Sequence, residues 1–414
     1  NDVLTGIENI SGGSGNDLLM GDSANNKIEG QAGNDTLYGL SGSDTLAGGQ
    51  GNDTYRVDNS DVQVVEQNGE GTDSIILANS YFKNYNSYYE LSSNVENLTV
   101  NGSFNSNNDP WMITLKGNQS DNKMVSTGVN TWFFDGAGND TLQGGGDYWN
   151  IVSYAYAGRT GDTSLSGVNV NLQTQAATGG SGNDTLIAIK GVEGSQFDDQ
   201  IVGSYGHDSF FFSGGNDTIS GDSGFDQLIF SNNQSQLTKG VTVNLSTGFA
   251  SFEGGSIQLS SIENVQGTVY ADSFTGDSES NYLYTGDGND TITGSGGMDI
   301  IEGGEGQDTY SLQGNRADYD INPNAYGMTQ ITDKQPMSRT IKAGLVGFGW
   351  WGKTIFKELQ GSQNFKVIGI AETSGLTRSA MNTDSQLEGI TIHDNFQDLL
   401  KQSELEVVIL CSPH

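Results

Sequence analysis

An aspartate or asparagine recurs every nine residues near the start of this chain, inside a glycine-rich loop and two residues before an apolar side chain. From Gly12 five units follow without a gap: GGSGNDLLM (12–20), GDSANNKIE (21–29), GQAGNDTLY (30–38), GLSGSDTLA (39–47) and GGQGNDTYR (48–56). Unit positions 1 and 4 are usually Gly, position 6 is Asp or Asn, and position 8 is apolar. Carboxylates beside loop carbonyls form an all-oxygen donor set, which suits Ca²⁺ and not zinc or copper. Glycine supplies backbone with φ > 0 and lets carbonyls approach an ion. The only cysteine is Cys411, so this region has neither a thiolate metal site nor a disulfide.

The pattern returns three times. A second array holds register at 117, 126 and 135, a third at 194, 203, 212 and 221, and a fourth at 267, 276, 285, 294 and 303. GGSGNDTLI (179–187) stands alone and adds Asp184 to the candidate ligands. If one coil holds two units, loops n and n+2 stack on the same edge. In the first array Asp17, Asp35 and Asp53 then share one edge, and Asn26 and Asp44 the other. The third array stacks Asp199 with Asp217 and Asp208 with Asp226. The fourth stacks Asp272, Asp290 and Asp308 on one edge and Asn281 with Asp299 on the other. In the second only Asn122 with Asp140 qualifies, because Thr131 is a poor ligand.

The elements that hold these loops must be short. Positions 7 to 9 read as a strand of three residues with one side chain facing inward, here Leu19, Ile28, Leu37, Leu46 and Tyr55. One buried side chain contributes about 1.5–3 kcal/mol, whereas ordering each residue of a unit costs about 1–2 kcal/mol. The formal charge of the chain is -34, and residues 1–336 carry ten Lys and Arg against 43 Asp and Glu. Self-repulsion of this size opposes any compact state without counter-ions, so bound metal is expected to supply the missing stabilisation. A single Gly-Asn-Asp string is an ordinary turn; five copies in register are not. The same strings spell N-x-[ST] sequons, which the repeat explains.

The units match G-G-x-G-x-D-x-U-x, with U a large apolar residue. Over most of residues 1–322 the chain resembles the RTX, or haemolysin-type calcium-binding, repeat family. DTYRVDNSDVQVVEQNGEGTDSI (53–75) and GNRADYDI (314–321) resemble stretches that accompany such repeats. The resemblance implies a right-handed parallel β-roll with calcium between its turns, outside the cell or on its surface.

The expected organisation is mainly β: roll arrays at 1–56, 117–147, 194–229 and 267–322, and β-rich spacers at 57–116, 148–193 and 230–266. VNVNL (168–172) matches VTVNL (241–245), and GSQFDDQIVG (194–203) matches GTVYADSFTG (267–276), both offset by 73 residues, so a module is duplicated. Tyr81, Tyr85, Tyr88 and Tyr89 cluster, as do Tyr148, Trp149, Tyr154 and Tyr156. They offer either a face for surface carbohydrate or, in the plainer reading, strand packing. No catalytic constellation precedes residue 337, and His207 reads as a loop residue. Nucleic acid is excluded by charge. No apolar run is long enough for a membrane span. The chain opens at Asn1-Asp2-Val3-Leu4, which reads as the middle of a repeat whose start lies upstream, and no signal peptide is visible.

After a linker at 323–336 the texture changes, and residues 337–414 carry seven Lys and Arg against eight Asp and Glu. Ile341–Val346 reads as a strand, Gly347-Phe-Gly349-Trp-Trp-Gly352 as a tight turn, Lys353–Leu359 as a helix, and Lys366–Ala371 as a second strand ending in Glu372. This is the setting of a dinucleotide-binding fingerprint: Gly347, Gly349 and Gly352 admit a pyrophosphate, and Glu372 takes the ribose hydroxyls. Glu372 favours NAD, while Arg378 leaves NADP open. AGLVGFGWWGKTI and VVILCSPH (407–414) resemble the start of the Gfo/Idh/MocA oxidoreductases, which are cytoplasmic. In that family a Glu-Lys-Pro motif with the catalytic lysine follows, and this sequence ends at His414, so a truncated Rossmann half-domain with no catalytic residue is expected. The join with the acidic region reads as a fragment or joining artefact, with a bifunctional protein as the alternative. Two functions stay open for the acidic region: a structural, adhesin-like calcium module of a secreted or surface protein, or the calcium-dependent tail of a secreted enzyme.

Overall fold

The computed structural model describes residues 6–78, 88–101, 112–155, 166–230 except 181, and 237–311 except 295. Beyond these it describes 319–323, 329–333, 341–346, 365–372, 389–401 and 407–410, with the single residues 356, 359, 381 and 387. The chain divides into two compact units, one of residues 1–313 with 321–331 and one of 314–320 with 332–414.

In the first unit the apolar residue at position 8 sits at the centre of a short parallel strand. Leu18–Met20, Thr36–Tyr38, Thr54–Val57 and Ser74–Ala78 form one ladder, with Leu19 opposite Leu37, Leu37 opposite Tyr55 and Tyr55 opposite Ile75. Asn9–Ser11, Lys27–Ala32, Thr45–Gln50 and Gln63–Val65 form the other, aligning Ile10, Ile28, Leu46 and Val64. Successive units therefore alternate between ladders, and one coil consumes two units. Ile28, Leu37, Leu46 and Tyr55 are fully buried, while Leu19, in the first strand of its ladder, is half-buried. The alternating pattern of a strand sends these side chains inward and their neighbours outward.

The first ladder continues through Asn97–Asn101, Lys123–Ser126 and Thr141–Gly144 to Gly182–Ile187. It ends with Ser273–Thr275, Thr291–Thr293 and Thr309–Ser311. Among the described residues its end strands, Leu18–Met20 and Thr309–Ser311, each pair on one side only, so it is an open ladder and not a barrel. The duplicated module has a structural form. Val168–Asn171, Ala176–Gly179 and Gly182–Ile187 make an antiparallel meander, and Thr242–Asn244, Phe249–Phe252 and Gly255–Ser260 repeat it. The last strand of each meander pairs in parallel with the coil before, and the first strand with the coil after. One ladder thus gains three strands where the other gains one.

Of the clustered aromatics, Tyr89, Trp149 and Tyr154 pack inward. Tyr154 is buried at 1% exposure and Tyr89 at 9%. Trp149 lies 6.0 Å from Phe211 beside the core of Ile151, Phe211 and Ile229. Tyr88 is exposed and donates to Glu90 at 2.7 Å. Tyr81, Tyr85 and Tyr156 lie outside the described residues.

In the second unit Ile341–Val346, Phe365–Ala371, Thr391–His393 and Val407–Leu410 form a parallel sheet in the order third, second, first, fourth. Leu345, Phe356, Val367, Ile370, Met381 and Leu387 form its core. Glu372 follows the second strand, and its N–H donates to the His393 carbonyl at 3.0 Å. Gly347, Gly349, Gly352 and Arg378 lie outside the described residues. Among the described residues no helix is long and apolar enough to cross a membrane.

Candidate metal centre

Loops n and n+2 stack, joined at position 5 and at position 6, where the candidate ligands lie. The Asp17 N–H donates to Asp35 Oδ1 at 2.8 Å, and the Asp35 N–H to Asp53 Oδ1 at 2.7 Å. On the other edge the Asn26 N–H donates to Asp44 Oδ1 at 2.8 Å. The same bond links Asp199 to Asp217 at 2.9 Å, Asp208 to Asp226 at 2.8 Å and Asn122 to Asp140 at 2.7 Å. It also links Asp272 to Asp290 at 2.7 Å, Asp290 to Asp308 at 3.0 Å and Asn281 to Asp299 at 3.1 Å. Asp184 does not stand alone. The meander lays its strand on Thr141–Gly144, so the Asp140 N–H donates to Asp184 Oδ1 at 2.9 Å.

These bonds use one oxygen of each carboxylate. The second oxygen, Oδ2, of Asp35, Asp44, Asp53, Asp140, Asp226 and Asp290 is buried with no hydrogen-bond partner. In the first array it faces the glycine at position 1 of its own unit. A Cβ on Gly30 would collide with Asp35 Oδ2 and would lie 2.7 Å from the Gly48 carbonyl oxygen of the next coil. The missing side chain thus leaves room for a carboxylate oxygen and a stacked carbonyl at one point. A buried acceptor without a partner costs about 1–3 kcal/mol, more when charged, so this cradle calls for a cation. The donors are all oxygen, and Ca²⁺ fits them.

The position-6 residues are not equivalent. Asp17, Asp199 and Asp272 already have Oδ2 occupied, by the N–H groups of Gly13 at 2.8 Å, Ser195 at 2.7 Å and Thr268 at 2.7 Å. Asn26, Asn122 and Asn281 accept through Oδ1 from the N–H four residues earlier, each at 2.8 Å. The amide of Asn122 also donates to the Val95 carbonyl at 3.2 Å, and that of Asn26 to the Ile7 carbonyl at 3.3 Å. An amide closes its own bonds where a carboxylate leaves an oxygen open.

Three residues that the nine-residue count passes over occupy the same stacking position. Asp73 accepts the Asp53 N–H at 2.7 Å, Glu96 the Asp73 N–H at 2.7 Å, and Glu263 the Asp226 N–H at 2.7 Å. The signal was present in Gly69-Glu-Gly71-Thr-Asp73 and in the recurring Val95-Glu96-Asn97-Leu98 and Ile262-Glu263-Asn264-Val265. Their spacings of 20, 23 and 37 residues hid it.

Burial raises the carboxyl pKa values at many of these positions. It takes Asp140 to about 9 and Asp217 to about 8, with neighbouring carboxylates adding to the rise. Asp184, Asp199, Asp226 and Asp272 rise to about 6, again chiefly through burial. In the unfolded chain these groups titrate near about 3.9. The folded, metal-free form therefore holds more protons than the unfolded form above pH ~4, and its stability falls as pH rises through the folded values. In excess chelator the residual β-sheet signal is expected to be larger at pH 5 than at pH 8. A residual signal that rises with pH would contradict this. Protons and calcium compete for the same oxygens, so calcium affinity is expected to fall at pH 5.

A comparison with curated proteins finds no match. A family model, the RTX calcium-binding nonapeptide repeat (4 copies), matches residues 3–30, 20–55, 127–147, 193–228 and 264–310. With two units per coil and carboxylates stacked along both edges, the chain carries RTX calcium-binding repeats folded as a parallel β-roll.

Proposed function

We propose that the first unit, residues 1–313 with 321–331, acts as a calcium-folded structural module of a secreted or cell-surface protein. The observation that carries this reading is the set of buried carboxylate oxygens with no partner, stacked over position-1 glycines in the first array. The role is adhesin-like: a rigid spacer whose order depends on calcium outside the cell, and whose repeat type is typical of secreted proteins. Service as the tail of a secreted enzyme would draw on the same chemistry. The two edges of the first array test the reading. Asp35 lies between Asp17 and Asp53, whereas Asp44 is stacked against an asparagine. Asp35→Ala is expected to remove more bound calcium than Asp44→Ala in equilibrium dialysis of the full chain. Equal losses would count against paired carboxylates as the binding unit.

For the second unit, the order of its parallel strands favours a dinucleotide-binding reading. Third, second, first, fourth is the arrangement of nucleotide-binding α/β sheets, and Glu372 stands at the end of the second strand. Calorimetry of the full chain with NAD and with NADP tests it. Binding that Gly349→Val abolishes supports the reading, and binding indifferent to that substitution opposes it.

A further inference from the structure

Where the first array meets the segment after it, three carboxylates converge that no nine-residue count connects. One oxygen each from Asp53, Glu66 and Asp73 lies within 4.8 Å of the others, and all three residues are buried. Asp53 belongs to the matched repeat, whereas Glu66 and Asp73 fall outside the matched residues. Asp53 and Asp73 precede strands of one ladder, Thr54–Val57 and Ser74–Ala78. Glu66 comes from the other ladder, directly after Gln63–Val65, where it follows the inward Val64 by two residues.

The hydrogen bonds divide the oxygens into two classes. Asp53 Oδ1 accepts the Asp35 N–H and Asp73 Oδ1 the Asp53 N–H, both at 2.7 Å. Glu66 Oε1 accepts from the Tyr55 hydroxyl, whose oxygen is itself fixed by the Gly48 N–H at 2.6 Å. Asp53 Oδ2 and Glu66 Oε2 are left buried with no partner. Glu66 is only 6% and Asp53 only 1% exposed, so neither free oxygen has bulk water to turn to. Ca²⁺ takes carboxylate oxygens at about 2.3–2.6 Å, so three of them within 4.8 Å of one another can share one ion.

We propose that Asp53, Glu66 and Asp73 form a calcium site of a second kind, closed by a side chain from the facing ladder and tighter than the loop sites. The proposal rests on the calcium reading above and goes beyond it in ligand set and rank. A loop site joins at most two stacked carboxylates to a backbone carbonyl. This one joins three carboxylates, and calcium affinity rises with the charge of the ligand set and the rigidity of the site. Glu66 is held rigid by Tyr55, and the ion it shares ties the two ladders together across the interior. The bland competitor is a protonated Glu66 that serves only as the acceptor for Tyr55.

Calcium titration calorimetry of the full chain, stripped of metal beforehand, separates these. The wild type is expected to show one tight phase ahead of the weaker loop sites. Glu66→Gln keeps the shape and the acceptor for Tyr55, and is expected to weaken that phase by about tenfold or more while leaving the later phases in place. Asp290→Ala, in the fourth array, is expected to do the reverse. Should Glu66→Gln fail to fold in saturating calcium by circular dichroism, Asp73→Asn reads the same phase from another loop. An unchanged tight phase in Glu66→Gln, or in Asp73→Asn where that variant is the one read, overturns the proposal. So does a Glu66→Gln chain that keeps more β-sheet signal in chelator and binds calcium as the wild type does. Absence of any calcium binding by the wild type would instead overturn the calcium reading itself, and this proposal with it.

Discussion

In excess chelator the full chain is expected to lose most of its β-sheet signal in far-ultraviolet circular dichroism, and to regain it as calcium returns to about 10⁻⁴–10⁻³ M, the range of extracellular calcium modules. The expectation follows from what the coils contain. Position-6 carboxylates lie one coil apart along each edge, joined by N–H bonds that use one oxygen and leave six aspartates with the other buried and unpaired. At about 1–3 kcal/mol each, those six oxygens cost as much as the whole net stability of an ordinary domain, about 5–15 kcal/mol. Burial raises the pKa values of Asp140 and Asp226, the same penalty seen from the side of the proton. Magnesium at the same concentration is expected not to restore the signal, because it demands shorter bonds and near-ideal octahedral geometry. A spectrum that does not change across the calcium titration would dismiss the idea that the ion completes the fold.

The second large effect is expected from one methyl group. Gly51 has φ of +132°, and a Cβ there would collide with the Gly33 carbonyl oxygen and lie 2.6 Å from its carbon. Backbone of the neighbouring coil cannot step aside as a flexible side chain can. Gly51→Ala is therefore expected to cost about 3 kcal/mol or more, at the severe end for single substitutions. It should also raise the calcium concentration needed for folding. Gly15 occupies the same position 4 of its unit, yet a Cβ there meets nothing within 4 Å. Gly15→Ala is expected to stay within about 0.5 kcal/mol of the wild type. Urea unfolding at fixed saturating calcium compares the two. Equal midpoints for both variants would show that close coil stacking does not govern stability.

These two glycines mark the boundary between what the sequence determined by itself and what only the tertiary structure decided. The period of nine, the glycine at positions 1 and 4 and the apolar residue at position 8 are local properties. From them follow the short strands, the inward Ile28, Leu37, Leu46 and Tyr55, and the n+2 pairing of Asp17 with Asp35 and Asn26 with Asp44. A repeat imposes the same geometry on each copy, so one register predicts all others in the array. The sequence cannot tell Gly15 from Gly51, because the difference lies in the backbone that the paired strands bring beside each glycine. Nor can it separate Asp35, with a free oxygen, from Asp17, whose second oxygen is taken by the Gly13 N–H. Stacking across irregular spacings was equally hidden. Asp184 joins Asp140 from 44 residues away because the meander returns the chain to the same ladder. Glu66 reaches Asp53 and Asp73 only because two ladders face each other across one interior. Contacts made between coils depend on the pairing of strands far apart in the chain, and that pairing is a property of the assembled ladders rather than of any nine residues.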